Sequence, residues 1–180
     1  MLFRSIMSTA PDPAQVAAWR EQVRQVLLAR VARTDQGREE AIREFVAVSR
    51  PDLGPEAAGI IAAKAPPLLP SLTEKWIGLF VDRLFETVPG EQIALLCDGS
   101  PDNEAALALA YVMFLESARM EKQMAADLAA AGLGPTPDGA DDATLVADVC
   151  RHLAKAEEKR RQQAMGKAAH YQAGKKGRPN

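Results

Sequence analysis

Asp148, Cys150 and His152, three metal-ligating residue types, lie close together in this 180-residue chain. Carboxylate, thiolate and imidazole groups hold zinc or iron when they face one another, and helical metal sites place them three or four residues apart. Steps of two on a helix point in divergent directions, so these three do not converge. His152 and His170 are the two histidines, and neither has a glutamate three residues before it, which removes the E-x-x-H pair of helical di-iron sites. No metal and no cofactor is expected; Cys150 packs, and His152 sits at the edge of an apolar stripe.

A cysteine nucleophile needs a histidine within reach and an electropositive, accessible setting. Cys97 closes the apolar run Ile93-Ala94-Leu95-Leu96, which is the setting of a buried, inert thiol. Serine triads, Walker loops and dinucleotide fingerprints are absent, and the GSPDNE stretch from Gly99 is acidic where a phosphate cradle is neutral or basic. Glu40 and Glu44 share a helix face beside Glu39, and Glu116 and Glu121 occur on another helix. All-α nucleotide pyrophosphatases carry an E-E-x-x-E run and a later E-x-x-D pair, and neither pattern is present. Solvated helix faces account for these acids. The expected catalytic set is therefore empty, and the chain reads as a non-enzymatic protein.

Charge is where the sequence departs most from uniformity. Between Arg151 and Asn180 nine Lys/Arg stand against Glu157 and Glu158, a net +7, whereas residues 1–150 carry thirteen basic and twenty-two acidic residues, a net −9. An acidic body with a basic end suggests an interaction segment, because long-range fields recruit partners and do not specify folds. The partner-binding candidates are Lys159, Arg160, Arg161, Lys167, Lys175, Lys176 and Arg178. Their targets by chemistry are an acidic protein partner, the acidic body of a second copy, or nucleic acid bound weakly and without sequence preference. Tyr171 is the one aromatic residue in that stretch, too few for base stacking.

The elements that must carry these groups are helical. Asp12-Pro13 is a cap followed by a residue whose missing N–H costs nothing at N1, and Val16, Trp19, Val23, Val26, Leu27 and Val31 recur at three- and four-residue steps. This predicts a first helix over Pro13–Arg33, with a break near Gly37 and a second helix ending before Pro51. Pro55 opens a third. Pro66, Pro67 and Pro70 predict a stiff, extended linker, and Ser71-Leu72-Thr73-Glu74 a capping box. The helix it opens carries Trp76, Ile77, Leu79, Phe80, Val81, Leu84, Phe85 and Val88, an apolar surface wide enough for the central helix of a core. Ser100-Pro101 repeats the cap signal. No breaker follows until Gly132, which predicts one helix of about thirty residues before a Gly/Pro loop and a last long helix.

That last helix loses its apolar stripe after Ala156. The organisation expected is a flexible N-terminus over 1–11, an acidic helical domain over 12–156, a helical basic extension over 157–173 and a disordered tail over 174–180. Leu2, Phe3, Ile6 and Met7 either fray or dock on a neighbouring chain. With 47% apolar and 5% aromatic residues, no alternating run and no apolar run near ~20 residues, the fold expected is an all-α, single-domain bundle of six to seven helices ending in a long helical hairpin. Two unpaired-spacing cysteines and no signal-like opening point to the cytoplasm and to no membrane. Long Ala-rich helices commonly complete their burial across a two-fold axis, so the function expected is protein–protein interaction by a self-associating, homodimeric adaptor or regulatory protein.

Overall fold

The structure, a computed structural model, describes residues 11–31, 35–133 and 142–176, with the side chains of 35, 36 and 167–176 outside that description. Expectations for residues 1–10, 32–34, 134–141 and 177–180, the end of the first helix at Arg33 among them, lie outside it too. The described residues are helical throughout their ordered elements, without a strand, and form the all-α bundle expected. In chain order they are α1 (Pro13–Val31), α2 (Asp35–Ser49), α3 (Gly54–Lys64), α4 (Leu69–Thr87), α5 (Gly90–Leu96), α6 (Pro101–Leu115), α7 (Ala118–Ala130) and α8 (Asp142–Lys176). Short 3-10 turns over Pro51–Leu53 and Pro66–Leu68 lead into α3 and α4.

Helix starts written in local chemistry form where expected. Asp12 accepts from the Ala14 N–H at 3.4 Å with Pro13 behind it, and the Ser100 hydroxyl accepts from the Asn103 N–H at 3.3 Å with Pro101 at N1. Asp102 and Glu104 then lie where the positive end of the α6 dipole favours them. At the end of α7, Gly132 takes φ +109°, a left-handed conformation, and the Leu133 N–H reaches back to the Leu128 carbonyl at 3.0 Å. That closure turns Leu133 into the core.

Four local expectations are corrected. Gly37 lies inside α2, so the helix is not broken there. The PPLLP stretch is wound, not extended: Pro66 is buried, Pro70 occupies the first turn of α4, and Leu69 stays helical before it because its side chain is buried. α4 therefore begins at Leu69, and Ser71 and Glu74 sit inside its first turns without forming the cap. The run expected as one thirty-residue helix is two, α6 and α7, joined at Glu116 and Ser117. Ser117 does both jobs at the joint, its hydroxyl donating to the Phe114 carbonyl at 2.7 Å and accepting from the Met120 N–H at 3.3 Å. The break re-registers the buried face. Leu115 to Met120 spans five residues, about 140° apart on an unbroken helix, yet Leu107, Leu115, Met120, Met124 and Leu128 are all buried in one core. α8 runs to Lys176.

α4 is the central helix, burying Trp76, Ile77, Phe80, Val81 and Leu84. Phe80 meets Tyr111 and Phe114 of α6, each with ring centroids 5.5 Å apart. α1 packs on α4 and α6, α2 on α3, and α8 on α7, α6 and α2. No helix of the described residues is long and apolar enough to cross a membrane.

One polar contact ties α4 to α7. The Asp127 carboxylate, 7% exposed, accepts from the Trp76 indole N–H at 2.9 Å, from Lys75 Nζ at 2.7 Å and from Gln123 Nε2 at 2.8 Å. Burial pushes this carboxyl upward, but the three donors together outweigh it and hold its pKa below the usual aspartate value. A group depressed in the folded state stabilises the fold above its unfolded pKa of about 4 and loses that contribution as pH falls through the lower, folded value. Asp127→Ala also leaves a buried indole donor unpaired, and is expected to cost about 2–4 kcal/mol at neutral pH. Urea denaturation from pH 8 down to pH 3 should show a constant wild-type advantage down to about pH 5 and a shrinking one below about pH 4.

Candidate functional site

α8 runs across the C-terminal end of α1, and the groups that meet there are charged. Arg30 Nη1 donates to Glu158 Oε2 at 3.1 Å, a pair whose side chains are 14% and 7% exposed. Arg161 Nη2 donates to the Arg30 backbone carbonyl at 3.1 Å, and its Nε donates to Glu157 Oε1 at 3.1 Å. Arg30 lies in the last turn of α1, where carbonyls lack helical partners and the dipole favours a cation. Arg161 is thus a C-terminal cap delivered from another helix. The packed part of α8 continues through Glu158 and Arg161, one turn past the end of the apolar stripe at Ala156, because polar groups and not apolar ones make the contact.

Three other cations of this helix are engaged as well. Arg151 pairs with Asp148 and, at 3.7 Å, with Glu121 of α7; Lys155 Nζ meets Glu116 at 2.7 Å; Arg160 pairs with Glu157. Among the described residues of the segment Lys159 is exposed and makes no ion pair. Lys167, Lys175 and Lys176 lie on the α8 backbone with side chains outside the description, and Arg178 lies beyond it. Of the seven candidates, the structure brings Arg160 and Arg161 together around Glu157 and turns Arg161 into the domain.

Beneath this charged rim lies a cavity of about 100 Å³ lined by α1, α2, α4, α6, α7 and α8. Leu27, Leu69, Trp76, Leu115 and Met124 make its apolar wall; Arg30, Arg38, Glu157, Glu158 and Arg161 stand at its edge. Tyr111 and Cys150 line it too, and burial raises the pKa of both, the Cys150 thiol to about 12. The Cys97 thiol is raised by burial and then by the neighbouring Asp98. The His152 ring packs on Phe45 with centroids 5.1 Å apart. Among the described residues no three His, Cys, Asp or Glu side chains gather closely enough to hold a metal ion.

A second surface is apolar. Past its polar first turn of Asp102, Asn103 and Glu104, α6 is apolar on every side from Ala105 to Leu115: Leu107, Ala108, Tyr111, Val112 and Leu115 are buried, while Leu109 is 45% and Met113 64% exposed. Ala106 shares the outward stripe. α5 adjoins it, held by a 2.8 Å hydrogen bond from Asn103 Nδ2 to the Leu95 carbonyl, and exposes the Leu95 side chain at 68%.

Sequence reasoning missed Arg30, Arg38 and Tyr111 as members of one site. The available signal was Arg30 in a last helical turn, a position that favours a cation without naming its partner. No family model, no curated protein and no solved structure matches the chain, so geometry and chemistry carry the functional argument.

Two outcomes follow for this region. Arg30→Ala strands the buried Glu158 and is expected to cost about 2–4 kcal/mol, whereas Arg30→Met combined with Glu158→Leu recovers most of that loss, both read by urea denaturation. Thiol titration with a disulfide reagent at pH 7.5 should modify Cys97 slowly and Cys150 only on unfolding, because both thiols stay protonated in the fold.

Proposed function

We propose that this chain is a helical protein–protein interaction protein, an adaptor or regulatory subunit, that self-associates through the outward face of α6. The observation that carries the reading is the apolar circumference of α6. A helix apolar all round is ordinarily buried all round, yet this one leaves Leu109 and Met113 in solvent. The occupant proposed is a second copy. Ala106 lies on the same outward stripe as Leu109 and Met113, so across a two-fold axis a large side chain of one copy meets a small one of the other. The middle of the stripe has no charge with which to select a charged partner.

The reading that assigns α8 to nucleic acid has less support, since Arg151, Lys155, Arg160 and Arg161 are already paired with carboxylates of the same copy. Exposed pairs of this kind are individually weak and can yield to phosphate. The salt dependence separates the two readings. About five cations on phosphates would give a log–log slope of about −4 to −5.

Sedimentation velocity at about 100 μM should give a dimer for the wild type and a monomer for Leu109→Glu combined with Met113→Glu, with unchanged helical circular dichroism. A wild-type monomer at that concentration removes the proposal. DNA binding with a slope near −4, lost on deleting residues 162–180 while the oligomer persists, would replace it with the nucleic-acid reading.

A further inference from the structure

The apolar wall of the cavity under α8 carries one buried polar group that the fold leaves without a partner. Tyr111 is 2% exposed, and its hydroxyl makes no hydrogen bond with any described residue. No fully enclosed side-chain nitrogen or oxygen among the described residues lacks a partner, so this hydroxyl borders open space. For so buried a side chain that space is the cavity it lines. The Trp76 indole N–H in the same wall is already spent on Asp127. A buried tyrosine hydroxyl ordinarily has a partner, and one left open into an apolar pocket is a donor awaiting an acceptor.

The charges at the edge decide what kind of molecule can supply that acceptor. Arg30 is paired with Glu158, Arg161 with Glu157 and the Arg30 carbonyl, and Arg38 has an interaction of its own. A charged ligand would shed its water at this edge and find every opposite charge already engaged, which makes its entry costly. A neutral ligand meets no such penalty. The wall of Leu27, Leu69, Trp76, Leu115 and Met124 suits an apolar body, with the Trp76 ring and the Met124 thioether both favouring an aromatic one. Size limits it further. An engineered apolar cavity of about 150 Å³ takes one benzene ring, so about 100 Å³ open at one edge takes one ring and no more.

We propose that this cavity binds a small uncharged phenol, with its single ring against Trp76 and Met124 and its hydroxyl accepting from Tyr111. Binding is to the folded domain and does not require the α6 face to be occupied, so it stands or falls independently of self-association.

The probe is phenol itself, titrated into the full chain by calorimetry and followed by the indole N–H resonances of a ¹⁵N-labelled sample. One site per chain is expected, with the Trp76 resonance shifted. Trp19 lines a separate groove with Phe85 and Ile93, and its resonance should stay still. Tyr111→Phe removes a hydroxyl that has no partner in the fold, so it should unfold at the same urea concentration as the wild type. It should bind phenol about 10-fold more weakly and benzene as the wild type does. 4-Hydroxybenzoate, the same ring with a charge added, should bind at least 10-fold more weakly than phenol. Ala154→Leu, which extends a lining side chain of α8 into the space, should abolish binding of phenol and benzene with helical circular dichroism unchanged. The proposal is overturned if phenol shows no saturable binding up to several millimolar, if the Trp19 resonance moves in place of Trp76, if Tyr111→Phe binds phenol as the wild type does, or if 4-hydroxybenzoate binds as tightly as phenol.

Discussion

The Asp127 carboxylate is the contact on which the placement of the other helices depends. It is buried between α4 and α7 and accepts from one donor on its own helix and two on the central one. An ionised group at such a site stays only because all three donors are aimed at it, so the geometry of α7 against α4 is held more tightly than apolar packing alone would hold it. α7 in turn is the partner along which α8 lies. α8 also packs on α6 and α2, so α7 is one of three supports that hold the roof of the cavity. Trp76 takes part in both ends of this chain of dependence, its indole N–H on Asp127 and its ring in the cavity wall.

Charge asymmetry along the sequence has a partly internal explanation. The basic stretch of α8 lies against the acidic body of its own copy: Arg151 on Glu121, Lys155 on Glu116, and Arg30 of the body on Glu158 of the extension. The last pair runs opposite to the sequence-level trend, an arginine from the acidic part meeting a glutamate from the basic part. It is also the most buried of the three, which makes it the one that fixes geometry; the exposed pairs at the helix surface contribute little individually. A net charge of +7 over thirty residues therefore overstates the free positive charge available to a partner.

What the sequence made legible was local. Asp12-Pro13 and Ser100-Pro101 cap helices because donor, acceptor and fixed φ lie within four residues of one another. The breadth of the apolar face on α4 marked it as central for the same reason, since periodicity within one helix is a local property. Ser117 was illegible as a break because a serine within a good helix-forming run carries no steric instruction to stop; the break follows from burying Met120 and Met124 in the same core as Leu115, a requirement set by the other helices. PPLLP misled in the opposite direction, since proline φ suits the first turn of a helix as well as an extended linker, and the burial of Pro66 and Leu69 decides between them. The cavity was the least legible feature: its members run from Leu27 to Arg161, and no spacing in the chain connects them.

α6 explains why a single element can serve two proposed surfaces. Its low amphipathicity looks like an unfinished design when the helix is considered alone, because one apolar face is enough to hold a helix on a core. Tyr111 faces inward to the cavity and Phe80, while Met113, two residues on, faces out. Alternation of this kind puts a cavity wall and an exposed apolar face on opposite sides of one rigid rod about 10 Å across. The helix ends are pinned by the Ser100 cap and by the paired hydrogen bonds of Ser117, so it cannot roll to hide Met113 without drawing Tyr111 out of the core. The exposed methionine is then a consequence of the buried tyrosine, and a second copy covering it would complete burial that the fold of one chain cannot.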